Sequence, residues 1–153
     1  MGLLVLVRHA KAEALASDDR ARRLAERGRA ECAELRAWFV EQEVGPDRVL
    51  VSSAVRAQQT WELAAVGGAE RIVEDRLYQG GPDEVRAIVA ETPAGVQTLV
   101  VVGHNPTLED LAWELDDSEQ ARDLTNRGLG TAGVGVFALA SWEARYGRLV
   151  AWR

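Results

Sequence analysis

The stretch LLVLVRH, residues 3–9, places five consecutive apolar residues directly before an arginine and a histidine. A short run of Leu and Val that is bounded by polar residues is typical of a strand buried on both faces of a parallel sheet. In open sheets of this kind, ligands and reacting groups collect at the carboxyl ends of the strands. The stretch therefore predicts an α/β fold with Arg8 and His9 at its active edge.

The second of the chain's two histidines follows a similar apolar run. Leu99–Val102 predicts another buried strand, whose carboxyl end leads into His104 and Asn105. A third strand, predicted at Val49–Val51, is followed by a helix that carries Arg56 in its first turn. If these three strands are neighbours in the sheet, the two histidines and the two arginines converge.

Helical and strand patterns alternate along the rest of the chain, which indicates a layered α/β fold. The longest helical stripe has apolar or small residues at spacings of three and four over about 20–44. The polar segment 116–127 is predicted to be a loop. The other predicted helices lie at about 54–65, from Pro82 and over about 106–115. A short strand is predicted at 72–73, a loop at 78–81, and one or two last strands from 134–138 and 149–152.

Composition and charge limit the class of protein. A chain of 153 residues with 47% hydrophobic residues is expected to form one domain over residues 1–153. Its apolar runs of about five residues are far shorter than the ~18–20 that cross a membrane, and no targeting segment is predicted. We therefore expect a cytoplasmic protein with no membrane partner.

The remaining composition argues against metal and nucleic acid. The single cysteine, Cys32, excludes an internal disulfide, and one Cys with two distant His cannot supply an ordinary structural zinc site. With 18 basic and 24 acidic side chains, the formal net charge is −6. Because binding to a nucleic-acid backbone depends on clustered Lys and Arg, no nucleic-acid partner is expected.

Two guanidiniums and two imidazoles together suit a phosphoryl group. Arginine presents planar, forked donors to phosphate oxygens. A neutral imidazole can act as a nucleophile and form a phosphohistidine that water then hydrolyses, while the second imidazole donates to the same oxygens. Taken singly, a histidine is as readily an orienting or solvated group, and Arg56 an exposed helix residue. Their coincidence at matching strand ends favours the phosphoryl pocket.

Two further motifs have simpler interpretations. Gly128, Gly130 and Gly133 spell G-x-G-x-x-G, but they precede a predicted strand, whereas a dinucleotide fingerprint follows a strand and opens a helix. We interpret them as a flexible entry to a strand. Asp18 and Asp19 stand before three arginines and are most simply a solvated helix start, with a supporting role at a site entrance as the alternative.

Three segments resemble the histidine phosphatase superfamily, whose fold is phosphoglycerate mutase-like. They are VLVRHAKAE at 5–13, VSSAVRAQQT at 51–60 and VVGHNP at 101–106. The resemblance is closest to the small phosphohistidine phosphatase branch, the SixA type. It extends over nearly the whole chain, with the motifs in the family's order and spacing.

The resemblance implies a three-layer α/β/α sandwich with a mainly parallel central sheet and no cofactor. His9 is similar to the phosphorylated nucleophile, Arg8 and Arg56 to the phosphate clamps, and His104 to the second pocket histidine. Arg22 lies in a stretch similar to the family's R-P-L-x-x-x-G, so we place Arg22, together with Asn105, in possible supporting positions beside the pocket.

The sequence departs from the family's pattern at several positions. Ala10 replaces a glycine after the nucleophile, Arg23 replaces a proline, and Ala25 stands where Ser or Thr is frequent. The glutamate that serves as an acid in the mutase branch has no clear counterpart. The nearby carboxylates are Glu74, Asp75, Asp83 and Glu84, and each is also explained as surface charge.

The missing acid bears on the substrate. An alkoxide leaving group needs a proton donor, whereas an imidazole, with a pKa near ~6.5, departs readily. The sequence therefore favours a metal-independent phosphatase that acts on phosphohistidine in a signalling or phosphotransfer protein, such as a histidine phosphotransfer domain, and releases inorganic phosphate. The alternatives are a hydrolase of a small phosphate ester and a non-catalytic module that binds phosphate or a phosphoprotein.

Overall fold

The computed structural model describes residues 1–153, with side chains described for 1–119 and 121–153. Within these residues, none of the helices is long and apolar enough to cross a membrane. A 3-10 turn occupies Asp19–Ala21. The strands and helices in chain order are β1 (Gly2–Arg8), α1 (Glu26–Glu41), β2 (Arg48–Ser52), α2 (Val55–Ala64), β3 (Arg71–Glu74), α3 (Arg76–Gln79), α4 (Pro82–Ala90), β4 (Thr98–Gly103), α5 (Thr107–Leu115), α6 (Glu119–Thr125), β5 (Val134–Leu139) and β6 (Arg148–Trp152).

The strands form one six-stranded sheet in the order β3-β2-β4-β1-β5-β6. The pairs β3-β2, β2-β4 and β4-β1 are parallel, and β5 and β6 add an antiparallel edge. The predicted α/β fold with a mainly parallel sheet is therefore confirmed. The strands β2, β4 and β1 are direct neighbours, which is the condition that the convergence of the two histidines and two arginines required.

Strand β1 lies in the middle of the sheet, and its side chains supply both cores. Val5 and Val7 pack on one face with side chains from α1 and α2, whereas Leu4 and Leu6 pack on the other with side chains from α4 and α5. Because successive side chains of a strand point to opposite faces, one uninterrupted apolar run can serve two cores. The result is the three-layer α/β/α arrangement.

Three local predictions were wrong. The helix predicted over 20–44 begins only at Glu26, because Leu24 lies in a β-bridge with Ala12 and its backbone N–H donates to the Gln59 side chain. The loop predicted at 78–81 begins within α3. The loop predicted at 116–127 contains α6, whose first turn is capped by Ser118, and the Arg122 guanidinium stacks on Trp113 of α5.

Gly28 fixes how the segment after β1 meets α1. A Cβ atom at this position would overlap the Lys11 carbonyl oxygen, which also accepts a hydrogen bond of 2.9 Å from the Ala25 N–H. The chain that follows His9 therefore lies directly on the first turn of α1. Only a residue without a side chain allows this approach, which explains the glycine in a helix interior, where it otherwise lowers stability.

We expect Gly28→Ala to destabilise the fold, although Ala normally stabilises a helix by about 0.5–1 kcal/mol relative to Gly. The overlap with backbone has to be relieved by displacing the segment that holds His9, at a cost of about 1–3 kcal/mol. Urea unfolding measures the change. The control is Gly95→Ala, because a Cβ at Gly95 meets nothing within 4 Å. Equal or higher stability in Gly28→Ala would contradict the packing described here.

Candidate active site

His9 stands immediately after β1, and its ring is held in one tautomer. Its Nδ1 lies 2.7 Å from the Ala10 carbonyl oxygen. A carbonyl can only accept, so Nδ1 carries the proton in the neutral ring and Nε2 keeps its lone pair. The same Ala10 residue is tied on its other side, because its N–H donates to Thr60 Oγ1 at 2.9 Å and Thr60 donates to the Arg56 carbonyl at 2.7 Å.

His104 stands after β4, and its ring centroid lies 5.2 Å from that of His9. Its Nε2 is 2.7 Å from the hydroxyl oxygen of Ser52, a fully buried residue at the end of β2. The Tyr78 ring packs edge-on against the imidazole, with 5.8 Å between the centroids. Three strand ends and α3 thus enclose the pair of histidines.

Arg8 is held by the loop before β5. Its Nη1 donates to the Leu129 carbonyl oxygen at 3.0 Å, and Asn105 Nδ2 donates to the same oxygen at 2.7 Å. Glu109 Oε1 accepts from Asn105 at 2.8 Å and from the Leu129 N–H at 2.8 Å. Asn105 therefore supports the pocket indirectly, by fixing the carbonyl that positions the Arg8 guanidinium.

The glycines of this loop permit that arrangement. Gly128 has a φ of +78°, which a side chain rarely adopts, and a Cβ there would lie 2.8 Å from the Glu109 carboxylate. The loop leads into β5, as predicted from the sequence. The prediction missed that its Leu129 carbonyl also binds Arg8.

Arg56, in the first turn of α2, is 7% exposed and makes two bonds to one residue. Its Nη1 donates to the Asp19 carbonyl oxygen at 2.7 Å, and its Nη2 donates to Asp19 Oδ2 at 3.0 Å. Arg22 reaches the same carboxylate, with 2.9 Å from Nη1 to Oδ1, while its Nε donates to the Glu13 carbonyl at 2.8 Å. Arg22 and Arg56 are thus joined through the carboxylate of Asp19.

Both imidazoles are neutral across the physiological range. Burial, together with the neighbouring Arg56 and Arg8 guanidiniums, lowers the pKa of His9 to about 4, although the hydrogen bond to the Ala10 carbonyl acts in the opposite direction. Burial also lowers the pKa of His104 to about 3, together with the nearby His9 and Arg56. A cationic, partly buried pocket therefore holds the candidate nucleophile, His9, as a neutral imidazole.

The four carboxylates considered as acids contact other residues. Glu74 is bound by Arg76, Asp75 accepts from Ser53 and pairs with Arg20, and Glu84 lies beside Gly80. Asp83 lines a cleft of about 840 Å³ on the face covered by α4 and α5. Among the described side chains, none of the four forms a hydrogen bond or ion pair with either histidine, Arg8 or Arg56.

The sequence did not reveal several residues that hold the site. Thr60 ties Ala10, Tyr78 covers His104 and donates to Asp19, and Leu129 acts through its backbone. Thr60 lies within the quoted family motif, so its position carried a signal. Leu129 carried none, because a backbone carbonyl is the same in every residue.

The site combines two neutral imidazoles with two guanidiniums at the carboxyl ends of adjacent parallel strands, an arrangement whose chemistry suits an anionic ligand. Within the described residues, no group of three or more His, Cys, Asp or Glu is arranged to hold a metal ion.

Comparison with known proteins identifies the family. The sequence profile of the histidine phosphatase superfamily (branch 1) matches residues 4–79. An uncharacterized protein of Mycobacterium tuberculosis (strain H37Rv) is 33% identical over 142 residues, which cover 88% of this chain and 87% of the relative. An uncharacterized protein of Mycobacterium leprae is 31% identical over 129 residues, covering 82% and 80%. The chain belongs to the histidine phosphatase superfamily.

Solved structures agree with the SixA type. A candidate phosphohistidine phosphatase SixA from Nakamurella multipartitia is 30% identical with a TM-score of 0.87, covering 99% of this chain and 95% of that one. A candidate SixA from Agrobacterium tumefaciens is 26% identical with a TM-score of 0.87, covering 99% and 97%. The protein histidine phosphatase SixA complexed with tungstate is 28% identical with a TM-score of 0.83, covering 98% and 95%. The SixA-type resemblance and the phosphoglycerate mutase-like fold are confirmed.

The two-histidine composition makes the ionisation of the site directly measurable by NMR. In untagged protein we expect both imidazole signals to stay at neutral-ring shifts as the pH falls from about 7 to about 5, because the pKa values lie at about 4 and about 3. The nitrogen shifts of His9 should show a protonated Nδ1. The variant His104→Gln assigns the two signals.

A midpoint near the ordinary value of ~6.5 for either ring would contradict the buried, cation-flanked pocket.

The same lowered pKa values determine how the free energy of unfolding changes with pH. The unfolded chain protonates its histidines near ~6.5 and the folded chain only near the lower values, so the unfolded state binds more protons between them. Acidification through that window therefore lowers the free energy of unfolding.

Proposed function

We propose that the protein is a metal-independent phosphatase that forms a phosphohistidine intermediate on His9 and whose substrate is phosphohistidine in a signalling or phosphotransfer protein. The observation that carries the proposal is the bond from His9 Nδ1 to the Ala10 carbonyl. It leaves Nε2 with its lone pair in a pocket where both rings are uncharged at neutral pH.

In the first step, His9 Nε2 attacks phosphorus and forms a P–N bond. The bond between phosphorus and the leaving nitrogen breaks, and its electron pair stays on that nitrogen. The other ring nitrogen of the substrate carries a proton, so the leaving group is a neutral imidazole, while the His9 ring takes up the positive charge. Arg8 and Arg56 bind the equatorial oxygens, where negative charge is concentrated in the transition state. Both guanidiniums are already anchored to protein oxygens, so little reorganisation accompanies the reaction.

In the second step, water attacks the phosphoryl group on His9. The P–N bond to Nε2 breaks, its electron pair returns to the imidazole, and inorganic phosphate leaves. The ring centroid of His104 lies 5.2 Å from that of His9. Its Nε2 is engaged by the Ser52 hydroxyl, which itself accepts from the Ala54 N–H, so the nitrogen that donates to a phosphoryl oxygen is Nδ1, which has no partner among the described side chains.

The choice of a P–N substrate is supported by the distribution of carboxylates. Among the described side chains, none of Glu74, Asp75, Asp83 and Glu84 forms a hydrogen bond or ion pair with either histidine, Arg8 or Arg56. An imidazole with a pKa near ~6.5 departs without a strong acid, whereas an alkoxide does not. The similarity to three SixA structures, two of them candidate phosphohistidine phosphatases, supports the same substrate.

The test compares two substrates in the presence of EDTA: a phosphohistidine-bearing phosphotransfer domain and a panel of small phosphate esters. We expect fast loss of phosphohistidine and slow turnover of the esters. His9→Ala should lower the rate by at least about 10³-fold because it removes the nucleophile. Arg56→Ala should also lower it strongly, whereas Arg29→Ala, an exposed arginine of α1, is the matched control and should leave it unchanged.

Other outcomes distinguish the alternatives. Faster turnover of esters than of phosphohistidine would make the protein a small-molecule phosphatase. Binding of phosphate with no turnover of either substrate would make it a binding module, and loss of activity with EDTA would exclude the metal-independent mechanism. We expect Asp83→Asn and Glu84→Gln to leave the rates for esters with good and poor leaving groups equally unaffected; a selective loss with poor leaving groups would identify an acid there.

A further inference from the structure

The carboxylate of Asp19 accepts hydrogen bonds from Arg56, from Arg22 and from the tyrosine that covers His104. Asp19 Oδ2 accepts from Arg56 at 3.0 Å and from the Tyr78 hydroxyl at 2.7 Å, and Oδ1 accepts from Arg22 at 2.9 Å. We propose that Asp19 is a positioning residue that fixes the Arg56 guanidinium for phosphoryl binding. This inference rests on the proposed phosphoryl-binding function of the pocket.

Arg56 needs such a partner because its charge is nearly removed from water. A guanidinium that is only 7% exposed is stable where an opposite charge and well-placed acceptors replace its hydration. Among the described side chains, Asp19 is the one acid that forms an ion pair with Arg56. Its carbonyl oxygen accepts from the second terminal nitrogen, so one residue fixes the guanidinium in two directions.

Two of the five N–H groups of Arg56 are used in this way, which leaves the others for a ligand. A planar fork held along one edge can present the remaining donors in a fixed direction. Arg8 is held in a comparable manner, by the Leu129 carbonyl. Both phosphate clamps are therefore anchored through a minority of their donors.

Tyr78 links the carboxylate to the second imidazole. Its hydroxyl donates to Asp19, its ring packs edge-on against His104, and the Arg20 guanidinium lies 4.4 Å from the ring centroid on its face. The Tyr78 hydroxyl, Arg22 and Arg56 hold the pKa of Asp19 well below its usual range, so the carboxylate stays ionised at any working pH. The network is therefore permanently charged.

The direct test is Asp19→Asn, which keeps the size of the side chain and removes its charge. We expect kcat/KM to fall about 10- to 100-fold, the range that a lost charge-assisted hydrogen bond produces, and the Kd for orthovanadate, a phosphate analogue, to rise about tenfold. The matched control is Asp18→Asn. Asp18 caps the 3-10 turn through the Ala21 N–H, a bond that Asn also accepts, and should leave both quantities unchanged.

A double-mutant cycle separates positioning from a general effect on the fold. If Asp19 acts through Arg56, then Asp19→Asn should cost less than about threefold when Arg56 is already Lys, because the guanidinium fork is no longer present. Additive effects in the cycle, or unchanged or tighter vanadate binding in Asp19→Asn alone, would overturn the proposal. A loss as large in Asp18→Asn would assign the effect to the turn and overturn it as well.

Tyr78→Phe provides a second route if Asp19→Asn does not fold. It keeps the carboxylate and removes one donor, so kcat/KM should fall about three- to tenfold, again with little added effect when Arg56 is Lys. An unchanged kcat/KM would overturn the proposal. Vanadate binding is measured by calorimetry and needs no turnover. If only the assigned substrate is wrong, Asp19→Asn still raises the Kd for vanadate. If the role of Asp19 is wrong, that Kd does not rise.

Discussion

The hydrogen bond between His9 Nδ1 and the Ala10 carbonyl is the interaction on which the rest of the site depends. It selects the tautomer that leaves Nε2 free. The Ala10 carbonyl is held in position because the N–H of the same residue donates to Thr60 Oγ1. Thr60 belongs to α2, the helix that also carries Arg56, so one helix sets both the orientation of the candidate nucleophile and the position of a candidate phosphate-binding arginine.

The concentration of positive charge explains why the arginines around the pocket are bound to protein oxygens. Arg8, Arg22 and Arg56 bring three positive charges together, and each of them lowers the pKa of His9. Backbone carbonyls bind all three, and Asp19 adds one full negative charge shared by two of them. These acceptors offset the repulsion among the three arginines, and under the proposed function they limit the movement needed to bind a phosphoryl group.

The sequence predicted the part of this architecture that depends on local pattern. Apolar runs located β1, β2 and β4, and the residues after each run located the two histidines and two arginines. The contacts of Asp19, Tyr78 and Leu129 could not be predicted in this way, because each joins residues that lie far apart in the chain. The late start of α1 has the same origin, since the Gln59 side chain and Ala12 hold Leu24 extended. Helix α6 was missed because a polar composition concealed a Ser118 cap.

We propose that the phosphoryl group is carried on one atom, Nε2 of His9. This proposal is tested most directly by quenching the reaction during turnover and locating the phosphoryl group by tandem mass spectrometry and phosphorus NMR. The tautomer held by the Ala10 carbonyl predicts Nε2-phosphohistidine at His9. Phosphorylation at Nδ1 of His9, at His104 or at another residue would contradict the account.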